Sequence, residues 1–268
     1  MSRAPLALAV LAAFACDTKG GEFFRPTTDP SPDVTPPVFS DPRPGPGVEV
    51  FGGDLISIDV MDPSPGGAPA TGIDPASIEV TVAGGDPLIA IVDLPTITID
   101  LGSQADGPVQ IIVVARDRAG NQSTHIFDFE LDRTPPPLAF GALPPAQIAT
   151  ALSTLAATVE VIVGPDPNYE SGQVSVRLPG ADNQCGTGDD TAPPTSVVAQ
   201  PDRPLLGPGQ HIFTFFLVNP VPPGGTGVGA SYCWVATAVD SAVGVNGESG
   251  VNRSTIAARS DVFWLPPQ

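Results

Sequence analysis

Asp33-Val34-Thr35-Pro36-Pro37 returns, with one substitution, as Asp132-Arg133-Thr134-Pro135-Pro136. The copies stand about 100 residues apart, the length of one β-sandwich module. Between them run short segments that change side at every residue. Ile78-Glu79-Val80-Thr81-Val82 and Thr96-Ile97-Thr98-Ile99-Asp100-Leu101 alternate apolar with polar, as half-buried strands do. Residues 55–60 and 126–131 read as strands too, and the apolar run 109–115 suits a central strand. Turn residues separate them: Gly52-Gly53, Gly84-Gly85, Asp106-Gly107. After the second copy, strands are expected at 158–163, 173–178, 212–218, 232–239 and 260–265. Residues 146–157 read either way, because Ile148, Ala151, Leu152 and Leu155 recur at helical spacing. The chain is therefore expected to be all-β, with two sandwiches in tandem.

Composition agrees. The 268 residues suffice for two domains, and 41% hydrophobic content supports packed cores. Thirty-four prolines and 29 glycines favour turns over long helices. The formal net charge of −18 repels nucleic acid and anionic lipid headgroups, which removes both as direct ligands.

The first residues point to export. Arg3 precedes an apolar run over residues 4–15, too short to span a bilayer and suited to a signal peptide. Ala13-Phe14-Ala15 fits an ordinary secretory cleavage site. Yet Leu11-Ala12-Ala13-Phe14-Ala15-Cys16 resembles the lipobox of bacterial lipoproteins, although Ala13 stands where that family usually has leucine. The resemblance implies a lipidated Cys16 as the mature N-terminus. Cys185 and Cys233 then remain as a pair, and an oxidising compartment would join them. Residues 17–33 are polar, Pro-rich and aperiodic, which reads as a tether. The expected division is 1–15 signal peptide, 16–33 lipidated cysteine and tether, 34–133 first sandwich, 134–268 second sandwich.

A second resemblance rests on Asp-x-Thr-Pro-Pro at each boundary and on Ala115-Arg116-Asp117-Arg118-Ala119-Gly120-Asn121 before the last strand of the first module. Ala238-Val239-Asp240-Ser241-Ala242 echoes it later. The pattern resembles bacterial immunoglobulin-like modules found in tandem on surface proteins. That implies the immunoglobulin-like fold and an exported setting, and it names no ligand.

His125 and His211 fall one per module, without neighbours that would make a metal site or triad. No Gly-x-Ser-x-Gly elbow and no phosphate-cradling loop is found, so no enzyme activity is expected. Calcium is the cofactor for which the sequence offers ligands, since it takes oxygens from carboxylates, amides and backbone. Asp182, Asn183, Asp189 and Asp190 surround a Gly-rich turn. In the first module Asp62, Asp74, Asp117 and Asn121 stand at loop positions. Asp, Asn and Gly are also plain turn formers. Tyr232 and Trp234 flank Cys233 and are expected to face the core. That sends Cys233 outward, where a bond to Cys185 would staple the Gly-rich loop across the sheet.

The function expected is a membrane-tethered lipoprotein of the cell envelope, periplasmic or at the cell surface, with a structural, adhesive or protein-binding role. The alternative is a carbohydrate-binding or accessory subunit of an extracellular enzyme system. The membrane would be reached through the N-terminal lipid, and the ligand would be a protein or glycan.

Overall fold

A computed structural model describes residues 33–63, 70–149 and 153–266. The signal segment, Cys16 and residues 17–32 of the tether lie outside the described residues. The first module holds β1 (Val38–Arg43), β2 (Val50–Phe51), β3 (Leu55–Met61), β4 (Glu79–Val82), β5 (Ala90–Asp93), β6 (Thr96–Asp100), β7 (Gly107–Arg116) and β8 (Gln122–Leu131). They form two sheets, ordered β1-β3-β6-β5 and β2-β8-β7-β4. In immunoglobulin letters this is A-B-E-D facing A′-G-F-C, the constant-type order. The first strand is split. β1 pairs antiparallel with β3, and β2 pairs parallel with β8. The crossing between them carries Pro42, Pro44 and Pro46, which have no N–H to continue a ladder.

The second module holds β9 (Leu138–Phe140), β10 (Gln147–Ala149), β11 (Thr154–Val163), β12 (Tyr169–Arg177), β13 (Asp202–Leu205), β14 (Gly209–Val218), β15 (Val228–Asp240) and β16 (Arg253–Trp264). Its sheets are β9-β11-β14 and β10-β16-β15-β12-β13. The strand after β12 has changed sides: β13 pairs with β12, whereas β5 sits beside β6 in the first module. The chain is thus all-β, with two immunoglobulin-like sandwiches in tandem.

Each core follows from alternation. Ile56, Ile58, Val60, Ile97 and Ile99 face Ile111, Val113, Ala115, Phe127 and Phe129. In the second module Val159, Val161, Phe215 and Leu217 face Val174, Val176, Trp234, Ala236 and Trp264. Phe215 and Trp234 pack with ring centroids 5.5 Å apart. Removing either side chain would cost about 3–5 kcal/mol, the range for buried aromatics cut to alanine.

Residues 147–149 form strand β10, in parallel register with β16, and β11 begins at Thr154. The helical reading of 146–157 is thereby corrected. The open edge of β16 captures this segment, and spacing alone did not reveal that edge. The strands that alternation missed are β1, β2, β5, β9, β10 and β13. All are short, and all lie at the edges of their sheets.

The modules meet through backbone as well as side chains. Phe51 bridges in parallel to Val243 of the second module. Gly52 N donates to Val243 O at 3.0 Å, and Val243 N to Val50 O at 3.1 Å. A side chain at Gly52 would stand 2.6 Å from Val251 Cγ2 and 3.1 Å from Asp132 O, so glycine permits this approach. Arg133 binds back to the first module, at Asp54 (2.8 Å), at Asp106 (3.3 Å) and at Gln104 O. Its neighbour Asp132 turns to the second module, where Asn168 Nδ2 donates to its Oδ2 at 2.7 Å.

Candidate metal centre and stapled loop

β3 and β7 end at the same pole of the first module, where the incoming chain also passes. This brings together Asp33, Asp62 and Asp117, with ligand oxygens all within 4.8 Å of one another. Asp117 is 3% exposed. Asn121 holds it twice, through its backbone N–H (2.8 Å) and its Nδ2 (2.7 Å), and the same Nδ2 reaches Asp33 O at 3.1 Å. Asp33 accepts from Thr35 N, Thr71 N and Thr71 Oγ1. The Thr35 amide first, then that of Thr71, holds its carboxyl below the ordinary value. Asp62 Oδ2 accepts from Gly72 N at 2.5 Å. Asp62 Oδ1 is buried and has no hydrogen-bond partner among the described residues.

Three carboxylates repel unless something positive joins them. A set of hard oxygens with one left unsatisfied suits a hard divalent cation, and calcium matches the donors. Asp33, Asp62 and Asp117 would hold it, and Asn121 would fix Asp117 from behind.

Sequence reasoning had named Asp62, Asp117 and Asn121, and the structure brings these together. It does not bring Asp74. That side chain caps a 3₁₀ turn, Pro75–Ser77, by accepting from Ala76 N at 3.1 Å. Asp33, which was not among the expected ligands, stands with them as a third candidate carboxylate. The available signal was its place as the first residue of the repeated Asp-x-Thr-Pro-Pro.

The repeat places the same residue types at the head of the second module: Asp132, Asp166, Asp240 and Asn252. Among the described residues only the first module's carboxylates converge as a ligand group. Here Asn168 intervenes, its Nδ2 on Asp132 and its backbone N–H on Asp166 Oδ1 at 2.8 Å. Asn252 Nδ2 donates to Asp240 Oδ2 at 2.9 Å. Asn121 and Asn252 each open a glycosylation-type triplet, but both amides are engaged inside the protein.

The loop 180–190 arranges its acids differently. Cys185 and Cys233 are joined by a disulfide. Cys233 opposes Arg177 and Arg259 across the sheet, on the face away from Trp234, and the loop covers it completely. Gly186 lies against Ala257 of β16, where a side chain would meet its Cβ at 2.7 Å. Asp182 accepts from Gln184 N, Asp189 from Thr187 Oγ1, and Asp190 from Gly186 N. Asn183 sits at φ 55°, a left-handed turn position, and its carbonyl takes Arg259 Nη1. These four residues shape the loop. They do not converge as a metal-ligand group among the described residues: one oxygen of each aspartate accepts from the turn, and Asp190 Oδ1 is buried without a hydrogen-bond partner.

His125 packs between Phe39 and Phe127, with centroids 5.9 and 4.8 Å away, and burial lowers its pKa. His211 Nε2 contacts Gly207 O at 2.7 Å in the other module. The two are not brought together.

No protein-family profile matches the chain, and no curated protein matches it in sequence. Solved structures that resemble it include fibronectin(III)-like modules of Clostridium thermocellum CbhA, at 13% identity and TM-score 0.36. That match covers 86% of this chain and 94% of the other. A chimeric titin Z1Z2 carrying a decorin peptide is 12% identical, with TM-score 0.29, covering 87% and 98%. Tandem Ig repeats of Dlar are 12% identical, with TM-score 0.26, covering 87% and 100%. At such scores the fold rests on the strand order given above, and no function is carried across.

Proposed function

We propose that this chain is an exported, lipid-anchored spacer of the cell envelope, with a structural, adhesive or protein-binding role and no catalytic one. The observation that supports this is the joint. Two sandwiches bridged by backbone hydrogen bonds and by the Asn168 and Asn252 amides on Asp132 make a stiff pair, suited to holding a binding face away from a surface. The disulfide fits an oxidising compartment outside the cytoplasm. Both tryptophans and Tyr232 lie in the core, which leaves them unable to stack on sugars and favours this reading over glycan binding.

Two experiments test it. Cys16→Ser is expected to abolish incorporation of labelled palmitate and to release the exported protein from membranes. An unlabelled, soluble wild type would overturn the anchor. Cross-linking in the native envelope is expected to join the modules to a defined envelope protein. Recovery of the free monomer with hydrolytic activity would overturn the role.

A further inference from the structure

Among the described residues, β14 is the longest strand that lies at a sheet edge. Its sheet runs β9-β11-β14, and its residues 209–218 all pair with β11 on one side. On the other side, among the described residues, only its far end is met. Val198 bridges to Leu217, and Val218 N donates to Val197 O at 2.8 Å. That bond fixes which way the backbone points, because N–H and C=O groups alternate sides along a strand. The Val218 N–H points to the open side, so those of Phe216, Thr214, Ile212 and Gln210 do as well. Short of the contact with Val197 and Val198, the N–H and C=O groups of Gln210, Ile212 and Thr214 meet no strand.

Open edges are commonly blunted by charge, by proline or by shortness. The other edge strands follow that rule. β1 carries Asp41 and Pro42, β4 carries Glu79, β5 carries Asp93, and β13 carries Asp202 and Pro204. β2, β9 and β10 have two or three residues each. β14 departs from it. It reads Gly-Gln-His-Ile-Phe-Thr-Phe-Phe-Leu-Val, without acid, lysine, arginine or proline, in a chain of formal net charge −18. Its outer face also shows large apolar side chains: Ile212 is 64% exposed, Phe216 58%, and Ile162 of the neighbouring β11 40%.

We propose that β14 pairs antiparallel with β14 of a second copy of this chain, about a twofold axis through Ile212. The strand is its own complement in that register. Ile212 faces its twin, and Gln210 faces Thr214 of the partner subunit. Each facing pair exchanges both its N–H···O bonds, so no backbone group of the three residues is left over. A strand from a different protein would gain the same backbone bonds, but this edge carries no charge to select it. The inference goes beyond the anchoring role and stands whether or not Cys16 carries lipid.

Self-association of so acidic a chain needs a contact that keeps carboxylates apart. The acid beside this edge is Glu160, opposite Ile212 on β11, with its carboxylate on Ala142 N and Gln210 Nε2. Across the axis the two copies of Glu160 stand three strand spacings apart, about 14 Å. That exceeds the Debye length of about 8 Å at physiological salt, so their repulsion is screened. At one hydrogen bond per 100–200 Å², the roughly six bonds correspond to about 600–1,200 Å² of interface. This is the low end for specific association, so the dimer should come apart on dilution.

Sedimentation equilibrium of the full chain with Cys16→Ser, which removes the cysteine outside the disulfide, tests the pairing. From micromolar to millimolar concentration, the mass is expected to rise from one chain toward two. Hydrogen exchange at the Gln210, Ile212 and Thr214 amides should slow over the same range, by about tenfold once nine-tenths of the chains are paired. The Phe213 and Phe215 amides, on the side facing β11, should change little. Ile212→Glu sets like charges face to face on the axis at a position exposed in the single chain, and is expected to weaken the dimer at least about tenfold. Thr214→Pro removes an outward N–H and spares the ladder to β11, and should act likewise. Ile91→Glu, on the exposed β5 edge, should leave association unchanged. A single chain at every concentration would overturn the proposal and leave this edge to a strand of another protein. So would a dimer that survives Ile212→Glu, or one that Ile91→Glu abolishes.

Discussion

The side-chain amide of Asn252 donates to the backbone carbonyl of Asp132, 2.6 Å away and 120 residues earlier in the chain. The same amide holds the buried carboxylate of Asp240. One side chain thus ties the start of β16 to the end of β8, across the boundary between modules. Asn121 plays the matching part at the head of the first module, on Asp33 O and Asp117.

Asn252→Leu keeps roughly the volume and removes the donor. It takes the donor from Asp240 Oδ2 and from the Asp132 carbonyl, each loss costing about 1–3 kcal/mol. Denaturant unfolding is expected to show a loss of that order in the second module, with the first module's transition little changed. A neutral result would mean water replaces the amide.

The disulfide closes a sequence separation of 48 residues. In the chain-entropy treatment its loss costs about 4 kcal/mol, an upper figure where the reduced chain keeps structure. Cys185→Ser with Cys233→Ser is expected to lower the second module's stability by a few kcal/mol. The 180–190 loop should also become a protease target. An unaltered melting temperature would argue that the Asp182–Asp189–Asp190 turn network holds the loop alone.

Calcium at Asp33, Asp62 and Asp117 should stabilise the first module selectively. At about a hundredfold excess over Kd, the gain is roughly 2.7 kcal/mol. Chelator should reverse it, and Asp62→Asn should remove it. The acid loop of the second module supplies the control: Asp189→Asn is expected to leave the calcium response intact. Equal responses in both variants would place the ion elsewhere.

The Arg133 side chain is 22% exposed and is held by Asp54, Asp106 and Gln104 O. Limited trypsin treatment is therefore expected to cut at Lys19 of the tether well before the Arg133-Thr134 bond. Asp54→Ala with Asp106→Ala should bring the joint cleavage forward. Early cutting at Arg133 in the wild type would show that the joint opens readily.

Alternation and repetition are local properties, and the sequence by itself determined what depends on them. It placed β3, β4, β6, β7, β8, β11, β12, β14 and β15 to within about four residues at either end, and the second half of β16, because each must present one apolar face to a core. Its two-residue period set Trp234 inward and Cys233 outward, and the disulfide bond lies on that outer face. Tertiary structure decided the rest. Edge strands such as β5 and β13 have one neighbour and mixed exposure, so no periodic signal marks them, and only pairing shows that they sit on opposite sheets. Asp33 joins Asp62 and Asp117 because the ends of β3 and β7 meet the incoming chain in space. Asp74, closer in sequence to Asp62, was instead consumed by capping its own turn. The acidic joint was equally hidden. Asp132, Asp166 and Asp240 are far apart along the chain, and the fold gathers them around the Asn168 and Asn252 amides.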